Sequence, residues 1–359
     1  MVPVVAALGT TGDAVDAIKQ KIMAAIAAGE AVPADGRPLS AEESASLRAW
    51  AQKNVLWQRG FAALRNCLST AQAAVWEIAV TEERGRIAQV LNAIHTIHQQ
   101  LEMMSCPHLF TKASLHWPDM GHDIDLLIQE RSGRADAALE PLLGLRRLPN
   151  SLTNGIAGKQ GYAIAGRRVE LEIHHGLMGH VGEFHRWVPG LLQRRRSLTL
   201  NGISFPVPSP EDQLLIIVQQ RVFGHFYVRA SDLLAAVQLC QIRGFDWQQL
   251  EFIAAGLGLT SALRLYLSWT DDFYGACGGG SLPLPSALRS PAAAKLTLVD
   301  NAYRFSRLRA LPGQYLAKLW QDLRQRDLAS LCRLAALPGL FILATLRNRL
   351  RSLAIIKIA

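Results

Sequence analysis

The chain has 359 residues, of which half are apolar, and it contains five cysteines and a net charge of +9. This length allows two or three domains and a substantial packed interior. The odd number of widely separated cysteines excludes a disulfide framework and predicts reduced thiols. The apolar N-terminus is short and has no basic segment before it, so a signal peptide is not predicted and we expect a cytoplasmic protein.

The positive charge is concentrated at the C-terminus. From Arg304 onward the chain contains eleven Arg or Lys residues but only two acids, Asp322 and Asp327, so this segment accounts for the whole net charge. A protein that coats nucleic acid needs clustered basic residues over more of its surface. Nucleic acid is therefore a less favoured partner than a small molecule.

Residues 1–104 are predicted to form an N-terminal helical region. A helical pattern covers residues 13–30, and Ser40 with Glu43 has the spacing of a capping box at the start of a second helical stretch. Apolar side chains at three- and four-residue spacings then predict a long helix over residues 70–104.

Residues 105–207 are predicted to form a small α/β core. Apolar runs indicate strands at residues 108–111 and 123–128, a helical pattern covers residues 134–145, and residues 150–161 are predicted to be a loop because they are rich in Gly, Asn and Ser.

Two hairpins complete this predicted core. One covers residues 162–174 around Gly166, and the other covers residues 198–205 around Asn201-Gly202. An Asn-Gly pair between apolar runs is a strong signal for a tight hairpin turn.

The remainder of the chain returns to a helical pattern. We predict a helical domain over residues 208–274, a Gly- and Pro-rich linker over 275–291, and a basic helical tail over 292–359 with breaks at Pro312-Gly313 and Pro338-Gly339. The predicted fold class is therefore α+β, with a small mixed sheet flanked by helical regions and a mostly helical chain overall.

The sequence Asp123-Ile124-Asp125 is the strongest indication of chemistry. Side chains alternate along a strand, so both carboxylates share a face while Ile124 points into the core. Two adjacent carboxylates repel each other, and a hard divalent cation such as magnesium removes that cost. A third carboxylate on a neighbouring strand, Glu170 or Glu172, would complete a site for two metal ions. An isolated Asp-x-Asp also occurs by chance on solvated strand edges.

The order of several motifs resembles the uncharacterised bacterial nucleotidyltransferases of the DNA-polymerase-β-like superfamily. That family has a leucine-lysine-glycine turn, then an aspartate-isoleucine-aspartate strand, and then a second strand that contains an acid. The resemblance covers about residues 85–270. The matching segments are Lys112-Ala113-Ser114, Gly121–Ile128, Glu172–His175, Pro208–Asp212, Asp232 and Asp246-Trp247.

The resemblance implies a function and a set of site residues. Asp123, Asp125 and Glu172 would be the catalytic residues and would bind two Mg²⁺ ions. The nucleoside triphosphate would be held by the residues that match the family's binding positions, which are Lys112, Ala113, Ser114, Gly121 and His174. The reaction implied is attack of an acceptor hydroxyl on the α-phosphorus, with release of pyrophosphate.

Departures from the family pattern leave two alternatives open. Ala113 replaces the usual glycine, and its Cβ would crowd a phosphate that approaches the backbone. Glu172 is one methylene longer than the usual aspartate. A catalytically inactive nucleotide-binding or scaffold protein is therefore the first alternative, and a toxin-like enzyme that modifies transfer RNA or a protein is the second. The sequence does not indicate the acceptor, the preferred base or the oligomeric state.

Two further groups of residues are interpreted without a catalytic role. His175, His180 and His185 follow His174, but their spacing matches no common zinc site, so we expect them at the surface. The run Arg194–Arg196 is predicted to be a solvated face.

The end of the chain has a basic amphipathic pattern. Residues 334–346 are largely apolar, and four basic residues follow among Leu and Ile. A run of this length is too short to span a bilayer, which needs about 20 residues. Packing on the helical domain is the favoured interpretation, and peripheral contact of residues 334–359 with an anionic membrane is the alternative.

Overall fold

The structure is a computed structural model that describes residues 11–33, 39–289, 294–299, 301–337 and 339. The helices are α1 (Thr11–Ala28), α2 (Ala41–Lys53), α3 (Trp57–Leu64), α4 (Thr70–Met103), α5 (Arg134–Leu143), α6 (Leu152–Ile156), α7 (Trp187–Gln193), α8 (Pro210–Val218), α9 (Ala230–Cys240), α10 (Trp247–Leu257), α11 (Thr260–Ala276) and α12 (Arg307–Arg324). A π-helix follows α8 (Gln219–His225), short 3-10 turns occur at Arg65–Cys67 and Ser286–Leu288, and residues 328–337 are also helical.

The strands form three sheets. They are β1 (His108–Phe110), β2 (Asp123–Ile128), β3 (Arg146–Arg147), β4 (Lys159–Ala163), β5 (Glu170–His175), β6 (Arg196–Leu200), β7 (Ile203–Val207), β8 (Tyr227–Val228), β9 (Thr297–Val299) and β10 (Ala302–Arg304). The largest sheet has the order β1-β2-β5-β4-β3, in which β2 and β5 are parallel and the other pairs are antiparallel. The smaller sheets are the hairpin β6-β7 and the ribbon β8-β10-β9. The fold class is therefore α+β, as the sequence predicted.

Among the described residues, the buried apolar side chains form two large hydrophobic cores. One core joins the N-terminal helices to the helices after Pro208, with Trp50 and Trp76 packed in the same cluster as Tyr266 and Trp269. The other core lies under the five-stranded sheet. Helix α4 connects them, because Trp76 near its start belongs to the helical core and the apolar residues from Ile87 to Leu101 pack against the sheet.

Most of the predicted elements are confirmed. The capping box before α2 is present, since Ser40 Oγ accepts from the backbone N–H of Glu43 at 3.1 Å and a Glu43 carboxylate oxygen accepts from that of Ser40 at 2.6 Å. Both predicted hairpins form, and Asn201 and Gly202 have positive φ angles of 47° and 79°, as their tight turn requires.

Three local predictions were wrong. The predicted loop over residues 150–161 contains α6 and the start of β4. The predicted helical tail contains β9 and β10, because β10 pairs with the distant strand β8 and this pairing is not visible in a local pattern. Helix α12 also continues through Pro312. Leu311 and Tyr315 pack against the helical core on either side of this proline, and their burial offsets the lost backbone hydrogen bond.

The prediction for the C-terminal tail lies mostly outside the described residues. Within them, Leu334 and Leu337 pack against Val181, and the Arg333 guanidinium donates to the carbonyls of Val181 and Gly182 at 3.1 Å each. Among the described residues, no helix is long and apolar enough to cross a membrane.

Candidate active site

The parallel pairing of the inner strands β2 and β5 places acidic side chains next to each other on one face of the sheet, near the start of both strands. Asp125 lies beside Glu172 in the register, and Asp123 lies beside Glu170. Because side chains alternate along a strand, all four carboxylates start from the same face of the sheet. Ile124 points to the other face and is buried in the sheet core. We refer to Asp123, Asp125 and Glu172 as the acidic edge.

His174 completes a compact group with two residues of the acidic edge. Its Nε2 lies 2.8 Å from Glu172 Oε1 and 3.6 Å from Asp125 Oδ1. Donor atoms of Asp125, Glu172 and His174 lie within 4.8 Å of one another. Asp125 and His174 are buried, whereas the side chain of Glu172 is 29% exposed and faces solvent. The group therefore has two carboxylates and an imidazole at the border between protein and cavity.

Two lysines balance these carboxylates. Lys112 Nζ lies 2.6 Å from Asp125 Oδ2 and 3.8 Å from Asp123 Oδ2, so one ammonium group is shared by both aspartates. Lys159 Nζ lies 3.2 Å from Glu172 Oε1. A cation thus already occupies the position between the two aspartates where the sequence predicted a divalent ion.

The ionised forms of Asp125, Glu172 and Lys112 are stabilised by their neighbours. Burial alone would raise the pKa of Asp125, but the Lys112 charge and the neighbouring His174 imidazole lower it. Burial would likewise raise the pKa of Glu172, but His174 and Lys159 hold it well below its usual range. Burial would lower the pKa of Lys112, and the charges of Asp125 and Asp123 outweigh that effect and raise it. Asp125 and Glu172 are therefore ionised at neutral pH, which is the state that binds a cation.

The turn after β1 brings part of the predicted phosphate-binding segment to the site. Lys112 and Ala113 line the cavity beside Asp123 and Asp125, and so does Gly121. Ser114 is half-buried, lines neither of the cavities described below, and uses its carbonyl to accept from the backbone N–H of Trp117 at 3.3 Å. The structure thus brings Lys112, Ala113 and Gly121 together with the acidic edge, but not the side chain of Ser114.

Two cavities meet at Lys112 and Asp123. The first has a volume of about 110 Å³ and extends from Asp125 towards Arg221 and Arg229. The second has a volume of about 230 Å³ and extends from Glu172 and His174 towards Lys159 of β4, the loop after β5 and the π-helix. The residues that line both cavities are Lys112, Asp123, Gln220 and His225. The acidic edge therefore opens on both sides into space that a bound molecule can fill.

The opposite side of the first cavity is basic. The π-helix after α8 carries Arg221 and His225, and Arg229 lies just before α9. We refer to Arg221, His225 and Arg229 as the basic wall. A π-helix turn is rare and occurs often at functional sites, because the extra residue per turn changes which side chains face a cavity.

A buried aspartate holds the basic wall in place. Asp232 accepts from Arg221 Nη2 at 3.0 Å, Arg221 Nε lies in ion-pair contact at 2.7 Å from the other carboxylate oxygen, and His116 Nε2 lies 3.1 Å from the same carboxylate. The backbone N–H of Arg229 donates to it at 2.7 Å. Burial alone would raise the pKa of Asp232, but Arg221 and His116 hold it well below its usual range. This network connects the turn after β1, the π-helix and α9.

Some side chains had a different position from the one the sequence predicted. His180 was expected at the surface, yet it is half-buried and lines the second cavity. His175 is half-buried and lies 3.3 Å from Asp136 Oδ2. Arg194, predicted to be solvated, binds the fully buried carboxylate of Asp212 through Nε and Nη2 at 2.8 and 2.9 Å. In each case a long-range partner determined the burial.

The sequence did not predict several residues of the site. Lys159 lay in a segment interpreted as a loop, and the basic wall lay within the predicted helical domain over residues 208–274. The only local signal for them was their charge within an otherwise apolar stretch. The missed residues that line the cavities and carry charge or titrate are His116, Lys159, Arg221, His225 and Arg229.

The fold and the site define a mostly helical α+β protein in which one face of the sheet presents carboxylates to a basic cavity. The family model described as "uncharacterised nucleotidyltransferase" matches residues 61–275. This match covers more than half of the chain, so the protein belongs to that family of nucleotidyltransferases.

Comparisons with individual proteins add little to the family assignment. One similar solved structure is an antigenic nucleotidyltransferase-like protein from Paracoccidioides brasiliensis, with 18% sequence identity and a TM-score of 0.35. The aligned region covers 56% of this chain and 95% of that chain. The comparison with curated proteins found no match.

Proposed function

We propose that this protein is a magnesium-dependent nucleotidyltransferase that transfers a nucleoside monophosphate from a nucleoside triphosphate to an acceptor and releases pyrophosphate. The observation that carries the proposal is the parallel register of β2 with β5, which places Asp125 beside Glu172 at the edge of a cavity with a basic opposite side. Membership of the nucleotidyltransferase family supports the class of reaction.

The residues of the acidic edge fit a divalent cation. Carboxylate oxygens are the ligands that magnesium prefers, and Asp125 and Glu172 offer them within 4.8 Å of each other and of His174. The position of the Lys112 ammonium group between the two aspartates supports the proposal, because it places a positive charge in the same space. When bound there, magnesium would lower the pKa of the acceptor hydroxyl and neutralise charge on the phosphate oxygens.

The protein's own side chains would orient the substrate. In the proposed complex the ammonium group of Lys112 leaves Asp125 and contacts the triphosphate. Phosphate oxygens then take the place of the Asp125 carboxylate as its partner. The basic wall binds the pyrophosphate portion, because arginine offers several N–H donors to phosphate oxygens. His174 keeps Glu172 in place through the 2.8 Å contact. The second cavity, on the side of Glu172 and Lys159, is then free for the acceptor.

One observation favours a second candidate, an inactive protein that has kept the fold. Lys112 pairs with the buried Asp125 at 2.6 Å, and the pair neutralises the site without any metal ion. If Lys112 stays in this position, it prevents the aspartates from binding a metal ion. The protein could then bind nucleotide but not transfer it. Ala113, which also lines the cavity, supports the same alternative through its additional Cβ.

The two candidates differ in product formation. We would incubate the protein with Mg²⁺, the four nucleoside triphosphates labelled at the α-phosphate, and a cell lysate, and then ask which molecule gains the label. Asp125→Asn should lower transfer by about 1,000-fold or more, because electrostatic stabilisation of several kcal/mol is lost. Glu170→Gln is the matched control, since Glu170 lies on the same face two residues before Glu172 and should leave transfer within about twofold.

The outcomes separate the alternatives. Label in small molecules, in RNA or in protein identifies the acceptor class, and label in RNA or protein would support a toxin-like enzyme. Magnesium-dependent binding of nucleotide without transfer would establish the inactive alternative. Equal transfer by wild type and Asp125→Asn would contradict the assignment of the acidic edge.

A further inference from the structure

A second group of potential metal ligands lies where α4 meets β1, away from the residues of the acidic edge. His98 and Glu102 are one helical turn apart on α4, and His108 is the first residue of β1. Side chains four residues apart share one face of a helix, so His98 and Glu102 both reach towards β1. One donor atom from each of the three residues lies within 4.8 Å of the others.

The two imidazoles of this group face each other. His98 Nδ1 lies 2.9 Å from His108 Nε2, and Glu102 Oε1 lies 3.9 Å from the same His98 nitrogen. His108 is buried, His98 is 24% exposed, and Glu102 is 61% exposed. The group is therefore anchored on the protein side and open to solvent on the other.

The hydrogen bonding of His108 determines which of its nitrogens carries the proton. His108 Nδ1 lies 2.8 Å from the carbonyl oxygen of Cys106, and a carbonyl can only accept. Nδ1 is therefore protonated, and Nε2 points its lone pair at His98. A histidine that donates one N–H to a backbone carbonyl while its other nitrogen faces a cluster has the outer contact typical of metal-bound histidines.

We propose that His98, Glu102 and His108 bind a zinc ion. Two imidazole nitrogens with one carboxylate are a common donor set for zinc, whereas magnesium prefers oxygen ligands only. Two nitrogens bound to tetrahedral zinc lie about 3.3 Å apart, so a small rotation of the partly exposed His98 side chain is enough. Zinc would bind the two nitrogens that now share a hydrogen. The His98 proton would move through solvent from Nδ1 to the partly exposed Nε2 side of the ring, so both imidazoles stay neutral, and water would fill the fourth position.

A zinc ion here would stabilise the start of the segment that leads to the acidic edge. His108 pairs with Ile128 at the far end of β2, and β1 continues directly into Thr111 and Lys112. The backbone N–H of Thr111 donates to the carbonyl of Asp125 at 3.0 Å. Joining α4 to β1 therefore fixes the strand whose next residues contact the catalytic candidates. The proposal does not depend on the nucleotidyltransferase reaction.

Zinc binding by the EDTA-treated, dialysed full-length chain tests the proposal. Zn²⁺ would be titrated in competition with a chromophoric chelator, on a background protein that carries His174→Ala and on the same background with His98→Ala or Glu102→Gln added. His95→Ala is the matched control, because His95 is exposed on the same helix one turn earlier and outside the cluster. Every protein would also carry His174→Ala, which removes the imidazole of the other candidate metal group.

We expect one zinc ion per chain in the background protein and in the His95→Ala variant. Losing a residue that only supports a ligand costs about 10–100-fold in metal affinity, so losing the ligand itself in His98→Ala should cost at least about 100-fold. Glu102→Gln, which changes an exposed residue and leaves the fold intact, should show a smaller loss of at least about tenfold. Absence of stoichiometric zinc in the background protein, or equal affinity in His98→Ala and His95→Ala, would overturn the proposal.

Discussion

The acidic edge and the basic wall face each other across one cavity, but they are built in opposite ways. The acidic edge follows from strand geometry, in which residues two apart along β2 and residues paired in register on β5 share a face. The basic wall depends on a π-helix and on the buried carboxylate of Asp232, which connects segments far apart in the chain.

This difference separates the residues that bind from those that hold the binding surface. On the acidic edge, Asp123 is half-exposed and its charge is available to a ligand. Behind the basic wall, Asp232 is buried and its charge is fully used by Arg221, His116 and the backbone of Arg229. We therefore expect substitutions of acids on the two sides to change different quantities, namely catalysis on the acidic edge and stability behind the basic wall.

The largest effect expected on stability is that of Asp232→Ala. The substitution leaves the buried guanidinium of Arg221 without its counterion, and breaking a buried ion pair on one side typically costs about 3–5 kcal/mol. Urea denaturation should show this loss in the free energy of unfolding, with an unchanged dependence on denaturant concentration.

The acidic edge provides the matched comparison for that result. Asp123→Ala removes the same carboxylate from a half-exposed position, and solvent screens its contact with Lys112 at 3.8 Å. We expect a change of less than about 1 kcal/mol in the free energy of unfolding. Similar losses for Asp232→Ala and Asp123→Ala would remove the distinction between the two sides.

A smaller effect is expected from Lys112→Met, which tests whether the residue between the two sides serves the ligand. If Lys112 turns from Asp125 to the triphosphate, the variant loses a charged hydrogen bond of about 1.5–3 kcal/mol, and nucleotide affinity should fall by roughly 10–150-fold. Isothermal titration with nucleotide and Mg²⁺ measures this change. Lys159→Met is a suitable control, because Lys159 contacts Glu172 in the other cavity and should matter less for nucleotide.

The opposite result for Lys112 would also be informative. In an inactive protein whose lysine only neutralises the aspartates, Lys112→Met frees the acidic edge for a metal ion. Magnesium would then bind more tightly without nucleotide, and nucleotide affinity would not fall. That pattern would contradict the proposed role of Lys112 and would favour the inactive alternative.

The two sides also explain how much of the site was predictable from sequence. Alternation along a strand is a local property, so Asp123, Asp125 and the choice between Glu170 and Glu172 were accessible from spacing. Glu172, rather than Glu170, joins the group with Asp125 and His174, because it is the direct partner of Asp125 in the register. The catalytic role of these residues is still a prediction.

The basic wall was not predictable for a physical reason. Arg221 and His225 face the cavity only because one helical segment has the wider π turn, and no residue preference in the sequence marks that turn. Asp232 was noticed as a family match, but its partners were not predictable. His116 lies 116 residues away in the sequence, and Arg221 reaches Asp232 from the π-helix. Lys159 and the ribbon β8-β10-β9 were missed for the same reason, since long-range pairing determined both.

The smallest effect expected is the pH dependence contributed by His225. Burial, together with the charges of Arg221 and Lys112, lowers the pKa of His225 to about 4, whereas an unfolded histidine titrates near 6.5. Between these values the unfolded chain binds more protons, so this contribution to stability is complete above about pH 6.5 and decreases as the pH falls towards 4. His225 is partly exposed, and solvent screening should limit the decrease to no more than about 1 kcal/mol. The measurement is the free energy of unfolding at pH 7 and pH 4.5 for wild type and His225→Gln, where wild type should lose more stability than the variant. An equal loss in both proteins, or a larger loss in the variant, would mean that His225 does not experience the positive charge of the basic wall.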